Sequence, residues 1–343
     1  MFNKFTIYLE KIWQAYTKNR LFYILFLIAI FATIFLRNIH DYLAYVNEWD
    51  KIFKGDDPYN AYGVFFHFFS FPNAIYNKLP KLIFIMFYFI AVHNIIKTDR
   101  DDKLVHRLLL FNPIFWVFGV LLGSNDVFLS SITILAVLNL INNNNTTSGF
   151  LFSIGINFKY TPLSILPFLV IDRNSINIKV IITTLIFSVI FLSIGFYFWD
   201  SELMHGFMFN IDRDSAIFSI FRYISGDYQP LQYFNISSLD FLSVFLVIIT
   251  WFLLFLLFFI FKYDKYLTLL LAYSNILLFY KSGHHQFYLL FFCLTIIVYI
   301  IHKKRILENK LLLYSFSFFW IWIFIFTLLY PLTNLYRGIF FQI

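Results

Sequence analysis

The chain has 343 residues, of which 60% are hydrophobic and 13% charged, with 50 Phe and a net charge of +7; its mean hydropathy is +0.74. A soluble domain is about half apolar and about a quarter charged, so this composition excludes a soluble globule and requires lipid as part of the solvent. One cysteine, Cys293, excludes a disulfide framework and a thiolate metal site, and the histidines lack metal-ligating spacing. No dinucleotide fingerprint or phosphate-binding P-loop is present, and the basic residues lie between apolar runs as cytoplasmic anchors do, so no nucleic acid partner is expected.

The expected fold is all-α: one integral membrane domain over residues 1–343, a polytopic bundle of about 10–12 helices of the length needed to cross roughly 30 Å of hydrocarbon. Residues 1–20 are amphipathic, with Lys4, Lys11, Lys18 and Arg20 leading into the first apolar run; the positive-inside rule puts that end in the cytoplasm. The run Leu21–Leu36 precedes Arg37-Asn38-Ile39-His40 rather than a small-residue cleavage site, so it is expected to stay as a helix. Further helices are expected near 82–96, 108–122, 127–141, 149–158, 160–171, 180–198, 241–261, 266–280, 286–301 and 311–330. On that count the basic gaps Lys97–Arg107, Arg173–Lys179, Lys262–Lys265 and His302–Lys310 all fall on the inner side of a plasma (inner) membrane. The halves of 149–171 are too short to span at about 1.5 Å per residue. Pro162 and Pro167 interrupt that stretch, which reads as a broken hairpin covered by protein or water.

Residues 37–81 are the first expected outer loop and 199–240 the second. In the first, Tyr42, Tyr45, Val46, Trp49, Ile52 and Phe53 recur at three- and four-residue spacing opposite Glu48, Asp50, Lys51 and Lys54. That pattern predicts an amphipathic helix in the interface, its aromatic face against lipid or the helical core. Asp41 opens this helix and either caps it or acts in chemistry. Gly123-Ser124-Asn125-Asp126 sits between two apolar runs with almost no loop around it. Those residues favour a tight turn, but a carboxylate flanked by membrane helices is expensive and usually functional, which makes Asn125 and Asp126 candidates. Asn112-Pro113 predicts a kink or a helix start. Lys159, between Phe158 and Tyr160, reads either as a snorkelling lysine or as a cation for a phosphate. Lys281-Ser282-Gly283-His284-His285-Gln286 joins two helices on the outer side, as a solvated turn or as part of a site, and Asp212-Arg213-Asp214 reads as a surface ion cluster. All these groups map to one side of the membrane.

Asp41-Tyr42, then Gly55-Asp56-Asp57-Pro58-Tyr59, resembles the first outer loop of the family of GPI-anchor mannosyltransferases that add the first mannose, and of their prokaryotic GT-C relatives. The similarity continues through Phe111-Asn112-Pro113, Gly123-Ser124-Asn125-Asp126 and Lys159-Tyr160-Thr161-Pro162. It returns at Arg213-Asp214 with Phe218-Ser219 and at Phe279-Tyr280-Lys281 with Gln286-Phe287, in order across most of the chain. The resemblance implies a GT-C-like fold, a polyprenyl-phosphate sugar donor in place of a nucleotide sugar, and a catalytic aspartate at Asp41. Eukaryotic members carry a second aspartate two positions earlier, where this chain has Ile39; a divalent cation is therefore an open expectation with no assigned ligands, and the sugar is mannose or another hexose or pentose. The chemistry suits the residues independently. Transfer to a glycan, lipid or protein acceptor needs a base for its hydroxyl proton, for which Asp41 serves. It also needs positive or hydrogen-bonding groups at the departing phosphate and sugar, from Asn125, Asp126, Lys159, Arg213, Lys281, His284, His285 and Gln286. The rival classes are a lipid or sugar transporter, which often shows internal repeats and mid-membrane polar residues, and a polysaccharide polymerase or ligase. The latter is expected to carry an arginine-rich outer loop, whereas this one has Arg213 and Arg222.

Overall fold

The computed structural model describes residues 20–38, 40–54, 56, 62–99, 102–171, 175–199, 236–261, 263–280 and 285–338. Among the described residues the fold is all-helical. In chain order it comprises α1 (Arg20–Phe35), α2 (His40–Phe53), α3 (Val64–His67), α4 (Ser70–Ile75), α5 (Leu79–Thr98), α6 (Lys103–Leu110) and a π-helical segment, Phe115–Leu121. There follow α7 (Asp126–Ile141), α8 (Asn145–Phe158), a 3-10 turn Thr161–Ser164, α9 (Leu166–Val170) and α10 (Ile178–Trp199). Last come α11 (Ile236–Ile260), α12 (Lys265–Phe279), a 3-10 turn His285–Phe287, α13 (Tyr288–Glu308) and α14 (Lys310–Gly338). Among the described residues four stretches are long and apolar enough to cross a membrane: Leu79–Thr98, Lys103–Leu121, Ile178–Trp199 and Leu242–Ile260.

Several boundaries differ from expectation; the helices expected to end at 301 and 330 run on to Glu308 and Gly338. The helix expected from 108 begins at Lys103, where Asp102 caps it by accepting from the Leu104 and Val105 amides, and it breaks at Asn112-Pro113. Asn112 Oδ1 accepts from the Ile114 amide at 3.0 Å, so this dipeptide ends one helix and starts the next segment, as expected. The helix expected from 149 begins at Asn145, inside the asparagine run, because the turn from α7 is tight: Asn143 adopts φ 61°, a left-handed conformation that asparagine tolerates. The break after Phe158 lies where expected. The helix expected from 241 begins at Ile236.

The bundle is centred on α7, whose residues from Asp126 to Leu138 are all buried, and α7 packs on α5, α8 and α13. Between apolar helices in lipid there is no hydrophobic driving force, so small residues and interhelical hydrogen bonds hold contacts together, at about 0.6 kcal/mol per bond. The packing follows that rule: Ser148 Oγ donates to Ala136 O (2.8 Å), Thr184 Oγ1 to Gly149 O (3.1 Å) and Asn157 Nδ2 to Ser188 Oγ (2.9 Å), tying α8 to α7 and to α10. Helix α2 turns the face drawn from its periodicity into this core: Tyr42, Tyr45, Val46, Trp49 and Ile52 are buried, and only Phe53 is exposed. Trp49 Nε1 donates to Phe66 O at 2.9 Å, fixing α2 against α3.

At about 1.5 Å per residue the 16 residues of α7 separate its ends by about 24 Å. One end gathers the turns 99–102, 264 and 302–303: Lys303 Nζ meets Asp99 Oδ2 at 2.9 Å and Asp102 Oδ2 at 2.8 Å, and His302 Nε2 meets Asp264 Oδ1 at 3.0 Å. Three of the four basic gaps expected to share one side, Lys97–Arg107, Lys262–Lys265 and His302–Lys310, therefore meet. The other end gathers α2, residues 123–126 and Lys159.

Candidate functional site

At that second end Lys159 Nζ donates to Asp126 Oδ1 at 2.7 Å, with side chains 14% and 2% exposed. Each partner is placed by a helix end. Asp126 is the first residue of α7, where the positive end of the helix dipole favours a carboxylate by about 0.3–1 kcal/mol. Lys159 leaves α8 with an extended backbone (φ −150°, ψ 144°) while its amide still bonds Gly155 O, which turns the side chain off the helix. Ser124 Oγ completes the carboxylate's surroundings, donating to Asp126 Oδ2 and accepting from the Asp126 amide, both at 3.2 Å. A buried ion pair is weak stabilisation, because desolvation consumes the attraction. Its presence in so apolar a body is therefore more telling for function than for stability.

Two aromatic rings flank the ammonium: it lies 5.3 Å from the Tyr62 ring centre and 5.2 Å from that of Phe287. Tyr62 is delivered by the first loop, which docks on α8 through main chain at Gly63 and through the Phe66 and Phe69 rings against Phe158. Gly63 N–H donates to Phe158 O at 3.1 Å, and a Cβ on Gly63 would stand 2.2 Å from Asn157 O. Helix α2 docks similarly. Gly123, at φ +70°, closes the π-helical segment, and a Cβ there would come within 2.8 Å of the Tyr42 side chain. Tyr42 OH donates to Asn77 O (2.8 Å) and accepts from the Lys81 amide (3.1 Å); burial holds this phenol well above its ordinary pKa, so it stays protonated. Lys81 is itself buried, its ammonium donating to Leu121 O at 3.1 Å and lying 5.6 Å from the Tyr42 ring centre.

Asn125 is fully buried and neither its amide nitrogen nor its oxygen has a partner, and Thr161 Oγ1, two residues beyond Lys159, is also unpaired. Each buried polar atom left so costs about 1–3 kcal/mol. Ligand hydroxyls, which both donate and accept, would satisfy such atoms.

Of the sequence candidates, the fold brings Asp126 and Lys159 into contact, buries Asn125 beside them, and sets Gln286 next to Phe287 in the adjoining turn. Neither sequence reading of Lys159, snorkelling or phosphate cation, included its carboxylate partner. Asp41 lies in the first turn of α2, beside Tyr42, and His285 in the 3-10 turn; their side chains are outside the described residues, as are Arg213, Lys281, His284 and the Asp212–Asp214 cluster. Sequence reasoning missed Ser124, Tyr62, Lys81 and Phe287 as neighbours of the site. Ser124 carried a signal in its place in the Gly123–Asp126 turn, and Phe287 in its place in the Gln286-Phe287 part of the resemblance. Among the described residues no three His, Cys, Asp or Glu side chains gather to hold a metal ion.

Comparison of the chain with protein-family models, with curated proteins and with solved structures finds no match in any of the three.

Proposed function

We propose that the chain is a polytopic membrane glycosyltransferase of the GT-C type. It moves a sugar from a polyprenyl-phosphate donor to a glycan, lipid or protein acceptor on the extracytoplasmic side. The observation that carries this reading is the buried Asp126–Lys159 pair at 2.7 Å, its ammonium set between two aromatic rings and near α2, the helix that carries Asp41 in its first turn. The ordered resemblance to GT-C enzymes supports it, and so does the gathering of these groups at one end of the bundle.

In the proposed reaction the acceptor oxygen attacks the anomeric carbon, and the bond from that carbon to the phosphate oxygen breaks. The acceptor's proton passes to the Asp41 carboxylate. The leaving polyprenyl phosphate keeps the electron pair, and its growing charge is met by the Lys159 ammonium. Such a pre-placed cation in a water-poor site stabilises the transition state more than it would in water. Asp126 acts as a positioning residue that fixes the ammonium, and Asn125 offers an amide to the sugar hydroxyls. The greasy body then has a purpose, since the donor's polyprenyl chain must lie between helices with its phosphate near the surface.

The test is sugar transfer by purified protein from a panel of polyprenyl-phosphate sugars. Turnover with at least one donor, and none with nucleotide sugars, is the expected result. Inactivity with every donor, accompanied by lipid scrambling in vesicles, would reject the enzyme and favour a transporter.

A further inference from the structure

Lys159 reaches Asp126 within the α7–α8 hairpin, but the two rings beside its ammonium come from distant parts of the chain. Phe287 ends the 3-10 turn before α13, and Tyr273 OH donates to its carbonyl at 3.1 Å. Tyr62 belongs to the first loop, and the reaction proposed above gives it no part. The fold nevertheless fixes it closely. The amide of its neighbour Gly63 donates to Phe158 O, one residue before Lys159. The Tyr62 ring centre lies 4.2 Å from that of Phe66, the planes tilted by 33°, and it meets the Tyr45 ring edge-on at 5.8 Å and 88°. The two tyrosine hydroxyls stand 3.5 Å apart. On its other side the ring has the Lys159 ammonium, 5.3 Å from its centre.

Tyr45 stands on α2 one helical turn after Asp41. It is buried and is itself wedged by rings, with Tyr42 at 6.4 Å, Trp49 at 5.9 Å and Phe66 at 5.6 Å. Tyr62 therefore touches α2 on one side and the ammonium on the other. Edge-to-face rings are attracted through the ring quadrupole at preferred angles, so the Tyr45–Tyr62 contact resists displacement of one helix against the other loop. A cation over a ring is held by the same quadrupole, and more strongly where water is excluded. That attraction resides in the ring face, so the Tyr62 hydroxyl is dispensable for it.

We propose that Tyr62 is a positioning residue whose ring couples α2, and with it Asp41, to the Lys159 ammonium, so that the two groups meet substrate at a set separation. This role rests on the proposed transfer reaction, in which Asp41 takes the proton and Lys159 meets the phosphate. The ring's hold on the ammonium does not rest on it, and the test reads the two separately.

The first readout needs no turnover. A succinimidyl ester acetylates the neutral amine alone, so a lysine that loses a contact favouring its charge reacts faster. Acetylation of Lys159 in the purified full-length protein is followed by mass spectrometry of its peptides, relative to the exposed Lys54. Tyr62→Leu should raise that ratio about five- to thirtyfold, the worth of one partly buried cation–π contact, and Tyr62→Phe should keep it within about twofold. The second readout is sugar transfer. Tyr62→Leu should lower kcat on the order of ten- to a hundredfold, as a small misplacement of reacting groups does, and Tyr62→Phe should restore it. Phe53→Leu, which removes an exposed ring at the far end of α2 that faces Phe71, should change neither readout. If Tyr62→Leu does not fold, Tyr62→Met, of similar length and without a ring, takes its place. The proposal is overturned if acetylation of Lys159 is unchanged in the ringless variant, if that variant transfers sugar at the wild-type rate, or if Tyr62→Phe behaves as it does. Raised acetylation in the ringless variant of a protein whose wild type uses no sugar donor has a separate meaning: it rejects the glycosyltransferase reading and keeps Tyr62 as the residue that holds Lys159.

Discussion

At the scale of single residues, Asp41 has two roles that one substitution separates. Asparagine caps a helix nearly as well as aspartate, but it cannot take a proton, and base catalysis contributes about 10²- to 10⁴-fold. Asp41→Asn is expected to keep the wild-type melting temperature while cutting transfer at least about a hundredfold; near-normal turnover would remove Asp41 from the mechanism. For Lys159 the structure changes what a mutation means. Lys159→Ala strands the Asp126 carboxylate, which is 2% exposed, and breaking such a pair on one side costs about 3–5 kcal/mol. Lost activity in that variant would therefore confuse unfolding with chemistry. Asp126→Asn combined with Lys159→Gln removes both charges and is expected to recover most of the melting temperature lost by Lys159→Ala, yet to remain inactive. An active double variant would reduce the pair to a packing device.

At the scale of elements, the end opposite the candidate site is held by Lys303, which bridges Asp99 and Asp102 and so ties α13 to the turn between α5 and α6. Burial works against the Asp102 carboxylate. Hydrogen bonds from Lys303 and from the Val105 and Leu104 amides, with the charge of the lysine, outweigh it and hold the carboxyl below its ordinary range. A carboxyl depressed on folding adds stability that is present above its unfolded pKa, about 4, and is lost as pH falls through the folded value. Lys303→Met leaves burial less opposed and brings the folded value up towards the unfolded one, so the loss of melting temperature as pH falls through about 4 should be smaller than in wild type. Superimposable pH profiles would show that the lysine does not set this carboxyl. The elements themselves were unevenly legible. The buried face of α2 could be drawn from its aromatic spacing because a one-sided helix writes its orientation into the sequence. The start of α8 could not, because Asn145 reads as loop by composition, and what extends the helix is packing against α7 and α10.

For the whole molecule, the proposed orientation puts residues 37–81, the 199–240 segment and the 281–286 turn outside. Cysteines introduced at Asp57, Ser201 and Ser282 should react with an impermeant thiol reagent in intact cells, and one at Ser175 only after permeabilisation. The native Cys293 is buried and gives little background. Labelling of Ser282 only after permeabilisation would invert the site's location. That Asp126 and Lys159 lie at the same end of the bundle was legible from helix parity. That Asp126 and Lys159 touch was not, because helix-end register depends on where α8 starts and on the extended backbone at Lys159, neither of which periodicity reports. The pairing also bears on how the protein is made. Asp126 and Lys159 lie 33 residues apart, at the open ends of the α7–α8 hairpin, and in the proposed orientation both charges must be carried through the bilayer. Either alone at mid-membrane costs about 2.5–3.5 kcal/mol on insertion. At about 5–20 residues per second the second charge emerges within seconds of the first. The hairpin can then enter as a self-neutralised unit, long before the ribosome reaches Phe287.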